Sequence, residues 1–390
     1  MKRHWYMIYF GLIIGGLFTL GITMFIRPAK HFSENENRVL QQIPTFSLNS
    51  FVQGQYQEKL EKGADDQFPG RDGLTATASI CKRMMGQKDI GDTYLGKDHY
   101  YLAKKTEDSI DMFRYMENLR YVEYVGSQRA SKSTLLLVPD AGTILADKLP
   151  AQAPFYQAAA LYRAAGSVCK QTTFVDIRQA MNEQKKSEQL YYRTDHHWTL
   201  AGAYVGYQQL CQPLHLTKQP YEHFKPKMVS KNFLGTLHSR VLGADAKADT
   251  IYAADHLPEI SSVVCDGKEK HTIYDARRCS TKDKYAYFFG GNYGEVTIKM
   301  SEQNHTGKNL IVFKDSFANC LVPFLLEQYD QVTMIDLRYY RKSVINILQQ
   351  KKDAEILFLY EMSNFAEDNN IWKLEELYEN HMYKGNDVFT

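Results

Sequence analysis

The stretch Asn309–Tyr329, NLIVFKDSFANCLVPFLLEQY, decides how the chain is read. Its first residues are apolar without alternation, as in a strand buried on both faces of a parallel sheet. Lys314, Asp315 and Ser316 interrupt the run, and an apolar helical pattern follows. The same strand-then-helix grammar recurs on either side. STLLLVPD (133–140), QVTMIDLRYY (331–340) and AEILFLYEMSNF (354–365) read as strands, and TTFVDIRQAM (172–181) as a short strand entering a helix. Helices are expected over 108–130, over roughly 152–168, from about Thr199, and over KSVINILQQ (342–350). Strands alternating with helices predict an α/β fold, a mostly parallel sheet flanked by helices. Between these parts, residues of about 215–308 are rich in turns and short β-like runs. They read as a β-rich insertion.

The chain has 390 residues, with 47 Lys+Arg against 45 Asp+Glu. That length carries a substantial core. A net charge of +2 with no arginine-rich run gives no argument for nucleic acid. Lys2 and Arg3 precede an uncharged run from Trp5 to Ile26, which spans roughly 30 Å as a helix, the thickness of a bilayer core. Arg27, Pro28 and Lys30 follow without a small-residue cleavage pattern, so the segment reads as an uncleaved transmembrane helix. The expected organisation is an anchor over 1–27, a juxtamembrane segment leading into the domain over 28–105, and an α/β domain over 106–390 carrying the insertion. A short N-terminal tail before a large domain is the arrangement of a signal-anchor with the domain outside the cytoplasm.

Within 28–105, FSLNSF through KRMM predicts two helices broken at Phe68-Pro69-Gly70, and DTYLGKDHYYLAKK predicts a hairpin turning at Gly96-Lys97-Asp98. Of the six cysteines, Cys169, Cys211 and Cys320 lie in apolar contexts and read as buried thiols. Cys265 and Cys279 flank a polar excursion and are the pair most easily imagined closing a hairpin. No CxxC occurs, so a structural zinc site is not expected.

In an open α/β sheet, ligands sit beyond the carboxyl ends of the strands. Ser316 stands at such an end, where unpaired amides at a helix start favour developing negative charge. The plainer reading is a helix cap, a position serine prefers. A serine nucleophile needs a base, and an imidazole base needs a carboxylate on its other nitrogen. TDHHWT (194–199) offers both. On an extended segment Asp195 and His197 point the same way and His196 faces away, with Thr199 capping the next helix. Asp195, His196 and His197 are also potential metal ligands, but adjacent histidines on a strand point apart and no HExxH occurs. The reading adopted has no metal and no cofactor.

TDHHWT is similar to the signature of the DHHW family. It also resembles the D-x-H-W-T motif of the alginate O-acetyltransferase (AlgJ/AlgX) family, whose domain is SGNH-hydrolase-like. Further blocks resemble that family in the same order: SENENRVLQQIPTFS (33–47), ADDQFPGRD (64–72), LLLVPDAGTI (135–144), NFLGTLHSR (232–240) and FKDSF (313–317). The resemblance implies Ser316 as nucleophile, His197 as general base, Asp195 as its orienting carboxylate, and Trp198 packed beside them as a substrate-binding residue. Arg338 and Tyr360 fall at or after strand ends and are expected to face the same cleft as substrate-binding residues. The sequence departs from the alginate proteins in its Asp-His-His and in showing no carbohydrate-binding module before its final NDVFT.

The resemblance implies an acyl group, acetyl in the first place, carried on Ser316 and passed to a hydroxyl of a cell-envelope or secreted polysaccharide. The oxyanion is expected to meet the N–H of Ser316 or Phe317 and one further donor. The implied partners are an acyl donor, a polysaccharide acceptor and a membrane-bound O-acyltransferase. The same triad serves an acetylesterase when water is the acceptor, and a non-catalytic envelope scaffold would keep the fold alone.

Overall fold

The computed structural model describes residues 2–33, 35, 38–243 and 245–375. Residues 34, 36 and 37 of the SENENR block and 376–390 of the expected domain lie outside them. The chain forms two compact units. One holds the described residues up to Gly91 together with His238–Asp245, and the other holds Asp92–Leu237 and the described residues from Ala246 onward.

The first unit begins with helix α1 (Lys2–Ile26), whose Trp5–Met24 stretch is long and apolar enough to cross a membrane. Helices α2 (Gln55–Gln67) and α3 (Arg71–Met84) follow, parted where predicted, with Gly70 at φ 74° in the turn. The end of α2 fastens the preceding segment. Asp66 accepts the Gln41 amide at 2.7 Å, and the Gln67 side chain accepts the Lys30 amide at 2.9 Å. In ADDQFPGRD these two residues therefore hold backbone in position.

The second unit is a layered α/β structure. Its strands are β1 (Ser133–Val138), β2 (Thr172–Val175), β3 (Ile260–Cys265), β4 (Lys268–Lys270), β5 (Glu295–Met300), β6 (Asn309–Lys314), β7 (Gln331–Ile335) and β8 (Glu355–Glu361). They form one eight-stranded sheet in the order β4-β3-β5-β7-β6-β8-β1-β2. The five strands from β7 to β2 are parallel, while β5, β3 and β4 extend the sheet antiparallel beyond β7.

That extension corrects the expected insertion. Only part of residues 215–308 stands apart, as a two-stranded ladder of Pro226–Phe233 with Asp249–Ala254. The remaining strands belong to the main sheet. Val296, Ile298 and Met300 face the core while Glu295, Thr297 and Lys299 do not, the alternation of an antiparallel strand. The β3–β4 hairpin turns on Asp266 (φ 45°) and Gly267 (φ 78°), a two-residue loop in which both central residues have positive φ. The excursion is closed by this turn; Cys265 and Cys279 are free thiols. Cys169, Cys211 and Cys320 are buried and free as expected.

Period-two alternation divides the parallel strands between two cores. Leu136, Val138, Leu310, Val312, Leu357 and Leu359 face one, and Leu135, Leu137, Ile311, Phe313, Ile356 and Phe358 the other. Helices α4 (Met112–Ser127) and α5 (Ala158–Val168) cover the second face through Leu119, Val122, Leu161 and Ala165. Helix α6 (Leu200–Leu210) covers the first, capped by Thr199, whose hydroxyl accepts the Gly202 amide at 3.2 Å. The predicted hairpin is present, pairing Thr93–Leu95 with Tyr101–Ala103. The helix expected after Ser316 is short. α7 (Ala318–Leu321) passes into a 3₁₀ segment, Val322–Gln328, where Pro323 has no amide to continue the α-helical ladder.

Two glycines predict opposite outcomes for one substitution. A Cβ on Gly202 stands 2.3 Å from the Leu190 carbonyl oxygen and 2.9 Å from Trp198 Cβ. Gly202→Ala is therefore expected to cost about 1–3 kcal/mol through forced backbone movement. On Gly166, in α5, the nearest atom is 3.8 Å away, so Gly166→Ala is expected to stabilise by about 0.5–1 kcal/mol. Thermal melts of the two variants read the sign directly.

Candidate active site

Strand β6 delivers Ser316 to the carboxyl edge of the sheet through a turn held by Asp315. That buried carboxylate accepts the Phe317 amide at 2.9 Å on one oxygen. Its other oxygen accepts the Glu361 amide at 2.9 Å and the Asn364 side-chain amide at 2.8 Å. The turn is thereby fixed to the end of neighbouring β8. One expectation is corrected here. The Phe317 N–H is occupied by Asp315, so it is not free for an oxyanion, and α7 is too short to offer much dipole. Among the described residues the Ser316 amide has no hydrogen-bond partner and remains the local donor.

The other half of the site comes from the segment before α6. It is not extended. Tyr192 N donates to the His197 carbonyl at 3.2 Å, Tyr191 bridges Trp198, and the His197 amide donates to Asp195 Oδ1 at 3.0 Å. In this closed loop strand alternation does not apply. His196 therefore does not face away, and its ring centroid lies 3.9 Å from that of His197.

The three residues singled out for chemistry meet. Ser316 Oγ lies 2.7 Å from His197 Nε2, and His197 Nδ1 lies 2.6 Å from Asp195 Oδ1. A carboxylate only accepts, so Nδ1 donates to it; in the neutral ring Nε2 then accepts from the Ser316 hydroxyl. Asp195 Oδ2 accepts the Thr236 amide at 2.8 Å and the Thr236 hydroxyl at 3.0 Å. Burial pushes the Asp195 carboxyl upward. The His197 and His196 imidazoles and these hydrogen bonds outweigh it and hold the group well below the usual carboxylate range.

Residues 155–335 match the sequence model of the DHHW protein family. The chain is similar to that family over a little under half of its length. It is 26% identical over 218 residues to a probable alginate O-acetylase AlgJ of Pseudomonas syringae pv. tomato, a match covering 54% of this chain. The chain spans about half the length of that curated relative, 52%. Two solved structures share the fold. A DHHW family protein from Eubacterium siraeum superposes with a TM-score of 0.62 at 20% identity, covering 74% of this chain and 96% of that one. Bacillus cereus PatB1 with a sulfonyl adduct gives 0.59 at 19% identity, covering 72% and 97%.

The DHHW loop is joined to the serine turn by its tryptophan. Trp198 is fully buried, and its Nε1 donates to the Phe317 carbonyl at 3.0 Å. Its ring lies against Gly206 of α6, where a Cβ would meet it at 3.0 Å. A side chain so enclosed holds two loops together and offers no surface to a substrate, which corrects the substrate-binding expectation. Tyr360 is a second correction. Strand alternation turns it to the opposite face of the sheet, where it packs on Phe365 at 5.7 Å between ring centroids. Arg338 does reach the carboxyl edge, beyond β7, but it forms a two-pronged pair with Asp336 at 2.9 and 2.7 Å. Asp336 also lies 3.9 Å from Lys314 Nζ. Burial brings the Lys314 ammonium down to about 8.

Sequence reading missed three contributors. Tyr285 stacks on the His197 ring, 3.8 Å between centroids and 12° from parallel, and its hydroxyl donates to the Ser316 carbonyl at 3.3 Å. Thr236 receives the His196 Nδ1 at 2.8 Å on the hydroxyl that it donates to Asp195. Gly235 leaves the space Asp195 fills, since a Cβ there would lie 2.2 Å from Asp195 Cβ. The FLGT block carried the last two as a resemblance without a chemical role; Tyr285 had no local signal. Asp195, His196 and His197 are close enough together to hold a metal ion. However, both Asp195 oxygens already have donors, and His197 Nε2 is turned to Ser316.

Beside the turn, burial pushes the Glu361 carboxyl well up, helped by Asp140 and Asp315 and opposed by Lys105. A folded-state value above the ordinary 4.5 contributes stability fully present below pH 4.5 and lost as pH rises through the raised value. Glu361→Gln, which stays neutral, is expected to match wild type near pH 4.5 and to melt progressively higher than wild type as pH rises to 8. Paired melting curves across that range check it.

Proposed function

We propose that this protein is a membrane-anchored, extracytoplasmic O-acyltransferase that moves an acyl group, acetyl in the first place, through Ser316 onto a polysaccharide hydroxyl. The single observation that carries the reading is the hydrogen-bonded line Ser316 Oγ, His197 and Asp195, at 2.7 and 2.6 Å. In the proposed chemistry, His197 Nε2 takes the proton as Ser316 Oγ attacks the acyl carbonyl. The Ser316 amide faces the developing oxyanion. The leaving group departs with the proton from His197, and an acyl-serine remains. The acceptor hydroxyl then gives its proton to His197, attacks the ester, and releases Ser316 protonated.

The alginate O-acetylase name of the curated relative supports acetyl and polysaccharide as the two substrates. A sulfonyl group on PatB1 is in keeping with an activated nucleophile on this fold. The apolar helix α1 supports the anchor over 1–27, followed by a leading segment over 28–105 and an SGNH-like catalytic domain over 106–390. A membrane-bound O-acyltransferase that supplies acyl groups across the bilayer fits such a placement.

The test uses the detergent-solubilised full chain with p-nitrophenyl acetate, following p-nitrophenol release and intact mass. Wild type is expected to gain one acetyl group on Ser316. Ser316→Ala and His197→Ala are expected to lose about 10³-fold or more in kcat, and Asp195→Asn a comparable factor. Added glycan hydroxyls are expected to drain the acetyl-enzyme faster than water does. Water alone draining it would identify an esterase, and release that persists in Ser316→Ala would remove the triad.

A further inference from the structure

A second cluster of chemistry-bearing side chains lies among residues that are scattered in sequence. His223 lies in the short 3₁₀ turn Tyr221–Phe224, His256 follows the strand Asp249–Ala254, and Glu327 lies in the 3₁₀ segment behind α7. His223 Nε2 is 2.9 Å from Glu327 Oε2, and His256 Nε2 is 3.3 Å from Glu327 Oε1. One ligand atom from each residue falls within 4.8 Å of the others. The two imidazoles are crossed at 81° with centroids 4.8 Å apart. Donors about 2.0–2.1 Å from one tetrahedral ion stand roughly 3.3 Å from each other, so the cluster is near that spacing already.

The backbone under these residues is fixed independently of them. The Phe224 carbonyl accepts the amides of both Asp255 and His256, at 3.0 and 3.1 Å, which ties the two histidine segments together. The Phe224 ring packs edge-on to Phe324 at 4.7 Å, which ties both to the segment that carries Glu327. The imidazoles are partly exposed, leaving an approach for an ion and a coordinating water.

We propose that His223, His256 and Glu327 form a binding site for a divalent transition metal, zinc in the first place. The site joins the Pro226–Phe233 ladder region to the segment behind the Ser316 turn. Two imidazoles and one carboxylate select a borderline ion over calcium or magnesium, which take oxygen donors. Three protein donors leave a fourth tetrahedral position for water.

The experiment takes the full chain, purified in detergent without a polyhistidine tag and stripped with chelator. Zinc binding is measured by equilibrium dialysis with metal analysis, and geometry by the visible spectrum after Co²⁺ addition. One equivalent of zinc at micromolar concentration is expected, with the intense bands of four-coordinate Co²⁺ and a higher melting temperature. Glu327→Gln and His256→Ala are expected to raise Kd about 100-fold or more, while His196→Ala retains the zinc. No bound equivalent, or zinc kept by Glu327→Gln and lost by His196→Ala, overturns the proposal. If the two variants do not fold, the wild-type Co²⁺ spectrum and melting shift decide it, and a six-coordinate, weak spectrum without a shift counts against the site.

Discussion

A carboxylate with 1% of its surface exposed has to be surrounded by donors, and the organisation around Asp195 follows from that requirement. Four donors reach it: the His197 amide, the His197 Nδ1, the Thr236 amide and the Thr236 hydroxyl. Two come from its own loop and two from a segment some forty residues onward. The charge therefore closes the DHHW loop on itself and brings Gly235 and Thr236 against it. Gly235 is the residue that permits the approach, because any side chain would occupy the Asp195 position.

The serine turn is held by a parallel device. Asp315 is equally buried and collects donors from its own turn and from the end of β8. Trp198 then joins the two loops through one hydrogen bond to the Phe317 carbonyl and through close packing on α6. Each half of the site is organised by a buried carboxylate, and a fully enclosed indole sets the distance between them. Misplacing any of these supports moves Ser316 relative to His197, and a shift of about 1 Å is large on the scale that proton transfer tolerates.

Much of this was legible in sequence, for reasons that can be named. β1, β6 and β8 are unbroken apolar runs, and only strands buried on both faces read that way. Ser316, His197 and Asp195 could be picked out because the chemistry admits few residue types. The same apolar runs hid which face each residue takes: between its terminal glutamates β8 is buried on both faces, so Tyr360 was assigned to the wrong side. β5 was hidden for the opposite reason. Its alternation resembles a solvent-facing hairpin, and only its pairing with β7 makes it part of the main sheet. Tyr285, and the meeting of His223, His256 and Glu327, depend on long-range packing that no local window contains.

The electrostatics of the serine turn limit what it can contribute. With the Phe317 amide occupied by Asp315 and only a four-residue helix behind it, the turn supplies position more than field. The imidazole is the group whose charge must change in a Ser-His-Asp exchange, and it is nearly dry. Tyr285 covers one face at 3.8 Å and Phe317 approaches at 5.1 Å, with His197 only 5% exposed. In such surroundings an unpaired imidazolium is costly, and its interaction with a fixed carboxylate is stronger than in water. The neighbouring imidazoles contribute most to holding Asp195 ionised, and the Thr236 pair and the His197 amide add donors that stay in place whether or not His197 is protonated. In the proposed reaction the counter-charge would therefore be in place before the proton leaves Ser316, with little reorganisation left for the moment of transfer.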